Sequence, residues 1–179
     1  GAIGLTYILQ CDIMVNDMNY EIIDNYLPKD KHAALVGMIE NREFEWYFIK
    51  GIITANDGSY MFNHRFYNSD NGAIQESKWF TMVNELLLTS LNYTKLFRVK
   101  CNLYTQQKSP PGLWHSDHTF FHKTAIYYIN TNNGYTELEN GKQVESVANR
   151  LCILKEPIAH RIINQTDTPL RSNINITYL

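Results

Sequence analysis

Residues 151–179 read LCILKEPIAHRIINQTDTPLRSNINITYL, and this stretch decides the fold class of the chain. Three short runs of apolar and β-branched residues begin at Leu151, Ala159 and Arg171, and they are separated by Pro157 and by the turn-forming sequence TDTP. The apolar spacing of three and four residues that is typical of a helix does not occur here. The end of the chain is therefore predicted to form short β-strands joined by turns.

The same pattern extends back to Leu96, with hairpin-type dipeptides at Asn133-Gly134 and Asn140-Gly141. The predicted strands are Leu96–Tyr104, Leu113–Asp117, Thr124–Asn130, Tyr135–Leu138, Lys142–Val147, Leu151–Leu154, Ala159–Ile163 and Arg171–Tyr178. Short antiparallel strands that follow two helices indicate a β-sandwich with helices covering one sheet. The predicted fold class is mainly β with flanking helices, built on a jelly-roll core of eight strands.

The part of the chain before residue 96 is predicted to support this core. A strand at Tyr20–Leu27 precedes a helix that Pro28 opens, and Phe44–Thr54 reads as another strand. Ser77 is predicted to cap a second helix whose apolar face runs from Phe80 to Leu91. Because neither a linker nor a repeat interrupts the pattern, residues 1–179 are predicted to form one domain, with support in 1–95 and the jelly roll in 96–179.

Residues 59–72 carry several Asn, Asp and aromatic residues and follow the turn signal Asn56-Asp57-Gly58. This composition predicts a long surface loop. Long loops in compact domains often close over a functional site. The segment is therefore predicted to be a substrate lid.

Composition excludes several function classes. The 179 residues include 16 Lys and Arg against 18 Asp and Glu, and the resulting net charge of −2 disfavours general nucleic-acid binding. No apolar run is long enough for a membrane-spanning helix, so no membrane partner is expected. The odd number of cysteines, Cys11, Cys101 and Cys152, indicates neither a disulfide framework nor a zinc site, which leads us to expect a reducing, cytoplasmic compartment.

A candidate metal site is formed by His115, Asp117 and His160. The first two are separated by one residue, so in a strand both side chains point to the same face. His160 lies at the start of a later predicted strand. Two imidazoles and one carboxylate form the facial triad that suits Fe(II) and leaves three positions open for other ligands.

The last predicted strand alternates polar and apolar residues, with Arg171, Asn173, Asn175 and Thr177 on one face. The strand from Leu96 does the same with Arg98, Lys100, Asn102 and Tyr104. Polar residues that face into a sandwich need a ligand, because buried polar groups without partners are costly. A guanidinium such as that of Arg171 would hold a carboxylate through two parallel hydrogen bonds.

With these residues in place, the chain resembles the Fe(II)- and 2-oxoglutarate-dependent dioxygenases, and within them the prolyl-4-hydroxylase-like branch. IYYINTNNGYTELENG (126–141) resembles that branch's Tyr-Leu-Asn strand and Gly-Gly-x-Thr turn. VESVANRLCILKEPIAHRIINQTDTPLRSNINITYL (144–179) resembles its closing segment. YEIIDNYLPKDKHAALVGMI (20–39) is similar to the strand and helix that precede the catalytic core.

The resemblance implies roles for individual residues and a set of cofactors: Fe(II), 2-oxoglutarate and O2. His115, Asp117 and His160 would be the iron ligands, and Arg171 would bind the distal carboxylate of 2-oxoglutarate. Tyr104 matches a tyrosine that often contacts the same carboxylate. Asn102 and Asn173 match asparagines of the nucleic-acid demethylase branch. The chain departs from the pattern in its turn, which keeps one glycine, Gly134, and in using arginine where the animal collagen hydroxylases use lysine.

The implied activity is hydroxylation of a C–H bond on a protein or peptide side chain, with proline as one candidate, or on a small molecule. Succinate and CO2 would be released. A nucleic-acid demethylase of the same superfamily is the first alternative, and the net charge of −2 disfavours it. The second alternative is a non-catalytic jelly-roll binding module, which would need none of His115, Asp117, His160 and Arg171.

Overall fold

The computed structural model of the protein describes residues 12–52, 54 and 56–179. Its strands and helices, in chain order, are β1 Asp12–Asn16, β2 Tyr20–Asp24, α1 Lys29–Ile39, β3 Tyr47–Lys50, β4 Tyr60–Asn68, β5 Gln75–Glu76, α2 Phe80–Leu86, a 3-10 turn at Leu88–Ser90, β6 Leu96–Thr105, β7 Lys123–Tyr128, β8 Tyr135–Leu138, β9 Gln143–Glu145, β10 Arg150–Leu154, β11 His160–Ile163 and β12 Leu170–Tyr178. Among these residues there is no helix of the length and apolar character needed to cross a membrane.

The strands form two antiparallel sheets. The large sheet has nine strands in the order β1-β2-β10-β7-β12-β6-β4-β3, with β5 paired to β4. The small sheet has three strands in the order β11-β8-β9. Strands distant in the sequence therefore become neighbours, as a jelly roll requires. The predicted mainly β, jelly-roll fold class is confirmed.

Each face of the large sheet has its own apolar core. On one face, Leu35 and Met38 of α1 and Val83 of α2 pack with Phe66 and Ile174 of the strands. On the other face, the residues that fill the space toward the small sheet include Ile126, Tyr128, Leu138, Val144, Cys152 and Leu154. The helices thus cover one face, as predicted, and leave the space between the two sheets for the polar residues of β6 and β12.

The prediction of a lid at residues 59–72 is wrong, because most of this segment is strand β4. β4 pairs with both β3 and β6, so it lies inside the large sheet. Phe66 is fully buried, and His64 and Asn68 are buried as well. The His64 ring lies 2.8 Å from the Ser77 hydroxyl and 2.7 Å from the Glu45 carbonyl oxygen. Tertiary pairing therefore overrides the local turn preference of the Asn and Asp residues.

The other predicted elements need smaller corrections. Leu113–Asp117 is not a strand and is reduced to a single bridge between His115 and His160. The other seven strands predicted after residue 95 are present, with ends shifted by a few residues. The helix after Pro28 is confirmed, whereas α2 is capped by Trp79 and not by Ser77, whose hydroxyl accepts from the Trp79 amide at 3.3 Å. Cys101 and Cys152 are buried free thiols, and Cys11 lies outside the described residues.

Candidate metal and co-substrate site

The structure brings His115, Asp117 and His160 together, with one ligand atom of each lying within 4.8 Å of the others. The backbone holds the two histidines side by side. The His115 amide donates to the His160 carbonyl at 3.1 Å, and the His160 amide donates to the His115 carbonyl at 2.9 Å. His160 is buried at the start of β11, whereas His115 is exposed. One side of the triad is therefore fixed in the core while the other is open to solvent.

Both imidazoles present the same nitrogen to the centre of the triad. Nδ1 of His115 lies 3.1 Å from the Leu113 carbonyl oxygen, and Nδ1 of His160 lies 2.9 Å from that of Ile158. A carbonyl oxygen only accepts hydrogen bonds, so Nδ1 carries the proton in each ring. Nε2 is left with a free lone pair, which is the arrangement that metal-binding histidines use.

Asp117 is held by hydrogen bonds to both carboxylate oxygens. Oδ1 accepts from the Arg98 guanidinium at 2.9 Å, and Oδ2 accepts from the Thr124 hydroxyl at 3.1 Å. Burial acts to raise the pKa of Asp117, but the charges of His160 and Arg98 outweigh it, with Lys100 contributing, and lower that pKa to about 2. Burial also lowers the pKa of His160. Asp117 is thus ionised at neutral pH, and burial favours the neutral form of His160, which is the form that binds Fe(II).

Arg171 is fully buried, and few of its guanidinium hydrogen-bond donors have a partner in the part of the chain that the structure describes. One terminal nitrogen donates to the Ile163 carbonyl at 3.2 Å, while Nε and the other terminal nitrogen have no hydrogen-bond partner among the described residues. The guanidinium carbon lies 5.7 Å from the centre of the Tyr104 ring. A buried cation is stable only when it is paired, so this arrangement fits a missing anion such as a carboxylate.

Tyr104, Asn102 and Asn173 lie in the wall of one cavity with the metal triad. The cavity encloses about 550 Å³, part of it open to solvent. β6 and β12 pair so that Tyr104 is opposite Arg171 and Asn102 is opposite Asn173. The Asn102 amide nitrogen donates to the Asn173 side-chain oxygen at 3.0 Å, while the Asn102 side-chain oxygen has no partner among the described residues. Six of the seven residues predicted for the site therefore line this cavity, and Arg171 lies next to it, opposite Tyr104 on the paired strand.

The residues that hold Asp117 in place are not marked by any motif in the sequence. Arg98 and Lys100 belong to the polar face predicted for the strand from Leu96, and the structure shows that Arg98 binds Asp117. The signal was present in the sequence, since alternation along β6 places both on the face of Asn102 and Tyr104. Thr124 belongs to no sequence motif. It lies on β7, which pairs with β12, and from there its hydroxyl reaches Asp117.

Gly134 is the residue that makes room for Arg171. A Cβ at this position would lie 3.0 Å from Cδ of Arg171, 3.0 Å from the Gln165 amide nitrogen and 2.9 Å from the side-chain oxygen of Asn132. The same Asn132 oxygen accepts from the Gly134 amide at 3.0 Å, so the glycine is held in place. The single glycine that the chain keeps in this turn is the one that the arginine requires.

We expect Gly134→Ala to weaken 2-oxoglutarate binding. Overpacking costs about 1–3 kcal/mol, and if that cost falls on the Arg171 side chain the affinity drops by roughly 10- to 100-fold. Mn(II) binding should stay within about twofold. Calorimetric titrations of both ligands measure this, with Gly37→Ala as the control, because a Cβ at Gly37 has nothing within 4 Å. Equal 2-oxoglutarate affinity in the two variants would contradict the prediction.

Neither a family model nor a curated protein matches this sequence. Solved structures do match it. An oxidoreductase of the 2OG-Fe(II) oxygenase family from Burkholderia pseudomallei superposes with a TM-score of 0.67 at 8% identity, covering 90% of this chain and 86% of that one. The epimerase SnoN of nogalamycin biosynthesis gives a TM-score of 0.65 at 12% identity, covering 90% and 78%. A prolyl hydroxylase from Trichoplax adhaerens gives 0.61 at 15% identity, covering 90% and 83%. The chain therefore has the jelly-roll fold of the 2-oxoglutarate- and iron-dependent oxygenases.

Proposed function

We propose that this protein is an Fe(II)- and 2-oxoglutarate-dependent dioxygenase that hydroxylates a C–H bond and releases succinate and CO2. The observation that carries the proposal is a cavity lined by three metal-ligand side chains, with a buried and incompletely hydrogen-bonded guanidinium beside it. His115, Asp117 and His160 turn free donor atoms toward a common centre. Arg171, beside this cavity, has two nitrogens without a hydrogen-bond partner in the described part of the chain. A divalent metal satisfies the first set, and a carboxylate satisfies the second.

In this proposal the three ligand residues hold Fe(II), which supplies the activation of O2 when bound. Arg171 and Tyr104 hold the distal carboxylate of 2-oxoglutarate, which fixes the co-substrate between them and the metal. Arg98 and Thr124 keep the Asp117 carboxylate in one orientation. In the overall reaction one oxygen atom of O2 enters succinate and the other becomes the new hydroxyl group.

For the acceptor we propose a protein or peptide side chain, with proline as one candidate, or a small molecule. The structural neighbours support this range: one is a prolyl hydroxylase in complex with a peptide fragment, and another, HygX, holds hygromycin B. Nucleic-acid demethylation is the second candidate, favoured by the contact between Asn102 and Asn173 and disfavoured by the net charge of −2. We also propose one domain over residues 1–179 and a reducing, cytoplasmic compartment, the latter because Cys101 and Cys152 are free thiols.

Succinate formation tests the proposal. The protein is loaded with Fe(II) and 2-oxoglutarate without oxygen, then exposed to O2 in the presence of proline-containing peptides, other peptides and small molecules. Succinate release stimulated by one acceptor, with stoichiometric hydroxylation of that acceptor, is the expected result. Asp117→Ala should release none. A wild-type protein that neither binds 2-oxoglutarate nor forms succinate would overturn the proposal.

A further inference from the structure

We propose that Lys100 binds a negatively charged group, a carboxylate or a phosphate, on the acceptor substrate. The inference rests on the proposed function and deepens it by naming the chemical class of the substrate. It comes from the position of Lys100, from the charge of the loaded site and from the absence of a partner for the ammonium group among the described residues.

Lys100 lies between the metal cavity and the space outside it. It lines the cavity of the triad and also an outer cleft of about 740 Å³. Residues of the outer cleft include Arg98, Lys100, Leu113, His115, Ser116 and Asp117. An acceptor that reaches the metal through this cleft meets a lining that includes Lys100 on both sides of the passage. Lys100 is thus placed to contact the acceptor close to the C–H bond that reacts.

The Lys100 ammonium group has no hydrogen bond or ion pair with any residue that the structure describes, although the side chain is half-buried. The acid in the lining of the outer cleft is Asp117, which is already paired with Arg98. Burial is the largest cause that lowers the pKa of Lys100, to about 8, and the charge of Arg98 adds to it. A half-buried cation in this position calls for an anion that the chain itself does not supply.

The charge of the loaded site identifies the acceptor, and not the co-substrate, as that anion. Fe(II) and Arg171 together carry three positive charges, which Asp117 and the 2-oxoglutarate dianion cancel. The charges of Arg98 and Lys100 then remain. Arg98 is held in place by Asp117, so Lys100 is the cation that is free to contact a ligand. The site therefore complements an acceptor with an oxyanion near the reacting carbon.

Matched pairs of small probes test the inference on protein loaded with Mn(II) and 2-oxoglutarate. The carboxylate pair is N-acetyl-L-aspartate N-methylamide and its asparagine counterpart, and the phosphate pair is N-acetyl-O-phospho-L-serine N-methylamide and its serine counterpart. Mn(II) shortens the NMR relaxation times of probe protons that lie close to it, so the experiment measures binding without turnover. We expect one or both anionic probes to bind the wild type at least about tenfold more tightly than their neutral partners.

Variants assign the preference to Lys100. In Lys100→Met the affinities for the anionic and the neutral probe should differ by no more than about twofold, whereas Lys100→Arg should keep the preference for the anionic probe. Lys31→Met is the matched control, because Lys31 lies on α1, and it should keep the full preference. The affinity of Lys100→Met for 2-oxoglutarate should remain within about threefold of wild type. The anionic probe that shows the preference also tells an acidic substrate from a phosphorylated one.

Three results would overturn the inference while leaving the proposed function intact. The first is a wild type that binds 2-oxoglutarate but does not prefer either anionic probe. The second is a preference that survives Lys100→Met. The third is a Lys100→Met variant that loses 2-oxoglutarate binding, which would assign Lys100 to the co-substrate. If the wild type binds no 2-oxoglutarate, the proposed function fails and the inference fails with it.

Discussion

Replacing Arg171 with methionine is expected to weaken the binding of 2-oxoglutarate at least about a hundredfold. Breaking a buried charge pair by removing one partner typically costs about 3–5 kcal/mol, and the methionine leaves the carboxylate without its clamp. A ligand present at a hundredfold excess over its Kd adds about 2.7 kcal/mol to the free energy of unfolding. In a domain of this size that raises the Tm by roughly 5–10 °C. The wild type should show this shift, and Arg171→Met should show almost none.

Thermal melts with Mn(II), recorded with and without 2-oxoglutarate, measure the shift without turnover. Arg65→Met is the matched control, since Arg65 is exposed on β4, and it should keep the wild-type shift. Without ligand, Arg171→Met should melt no lower than the wild type, because it removes a poorly compensated buried cation and keeps an apolar stem beside Gly134. An equal ligand-induced shift in wild type and variant would show that Arg171 is not the clamp.

The second large effect is expected for His160→Ala, which should remove metal binding. Changing a group that only orients a metal ligand costs about 10- to 100-fold in affinity, so the loss of a ligand itself should cost more than about a hundredfold. The wild type with Fe(II) and 2-oxoglutarate, kept free of oxygen, should show a weak visible charge-transfer band from the chelate. His160→Ala should show no band.

His118→Ala is the control for this experiment. His118 lies one residue after the ligand Asp117, but its Nε2 is 2.9 Å from the Thr177 hydroxyl and it is not one of the three grouped ligand residues. The variant should keep the band and the Mn(II) affinity of the wild type. A native protein that shows no band at saturating ligand would refute the dioxygenase proposal, and a band that persists in His160→Ala would refute this ligand assignment.

The fold class could be predicted because the strands after residue 95 alternate polar and apolar residues or have turn-forming residues at their ends. β4 could not, because its sequence YMFNHRFYN contains two Asn and no regular alternation. The structure explains the broken alternation by a register shift between Arg65 and Tyr67, which changes the residues that face the core. The pairing partners β3 and β6 stabilise β4, and such long-range pairing leaves no local mark in the sequence.

More of the candidate site than of the strand order could be predicted from the sequence. The reason is that a His-x-Asp pair, a later histidine and an arginine on the next strand keep a characteristic spacing. The local pattern predicts a strand at Leu113–Asp117, and such a strand would place His115 and Asp117 on one face. In the structure a single bridge to His160 performs that task. The contacts of Arg98 with Asp117 and of Gly134 with Arg171 depend on which strands pair, and local patterns do not reveal this pairing.

The bridge between His115 and His160 has a consequence for how this chain can vary. The Gly112 amide also donates to the Ile162 carbonyl at 2.9 Å, and a Cβ at Gly112 would lie 3.1 Å from the Ile162 amide nitrogen. The ligand segment is thus fastened to β11 from Gly112 onward, independently of the connection that leads from β6. Insertions or deletions at residues 106–111, which precede the first residue of this segment in the lining of the outer cleft, should therefore change the surface beside the cleft without moving the ligands. Evolution or protein engineering can therefore vary this surface while His115 and Asp117 keep their places beside His160.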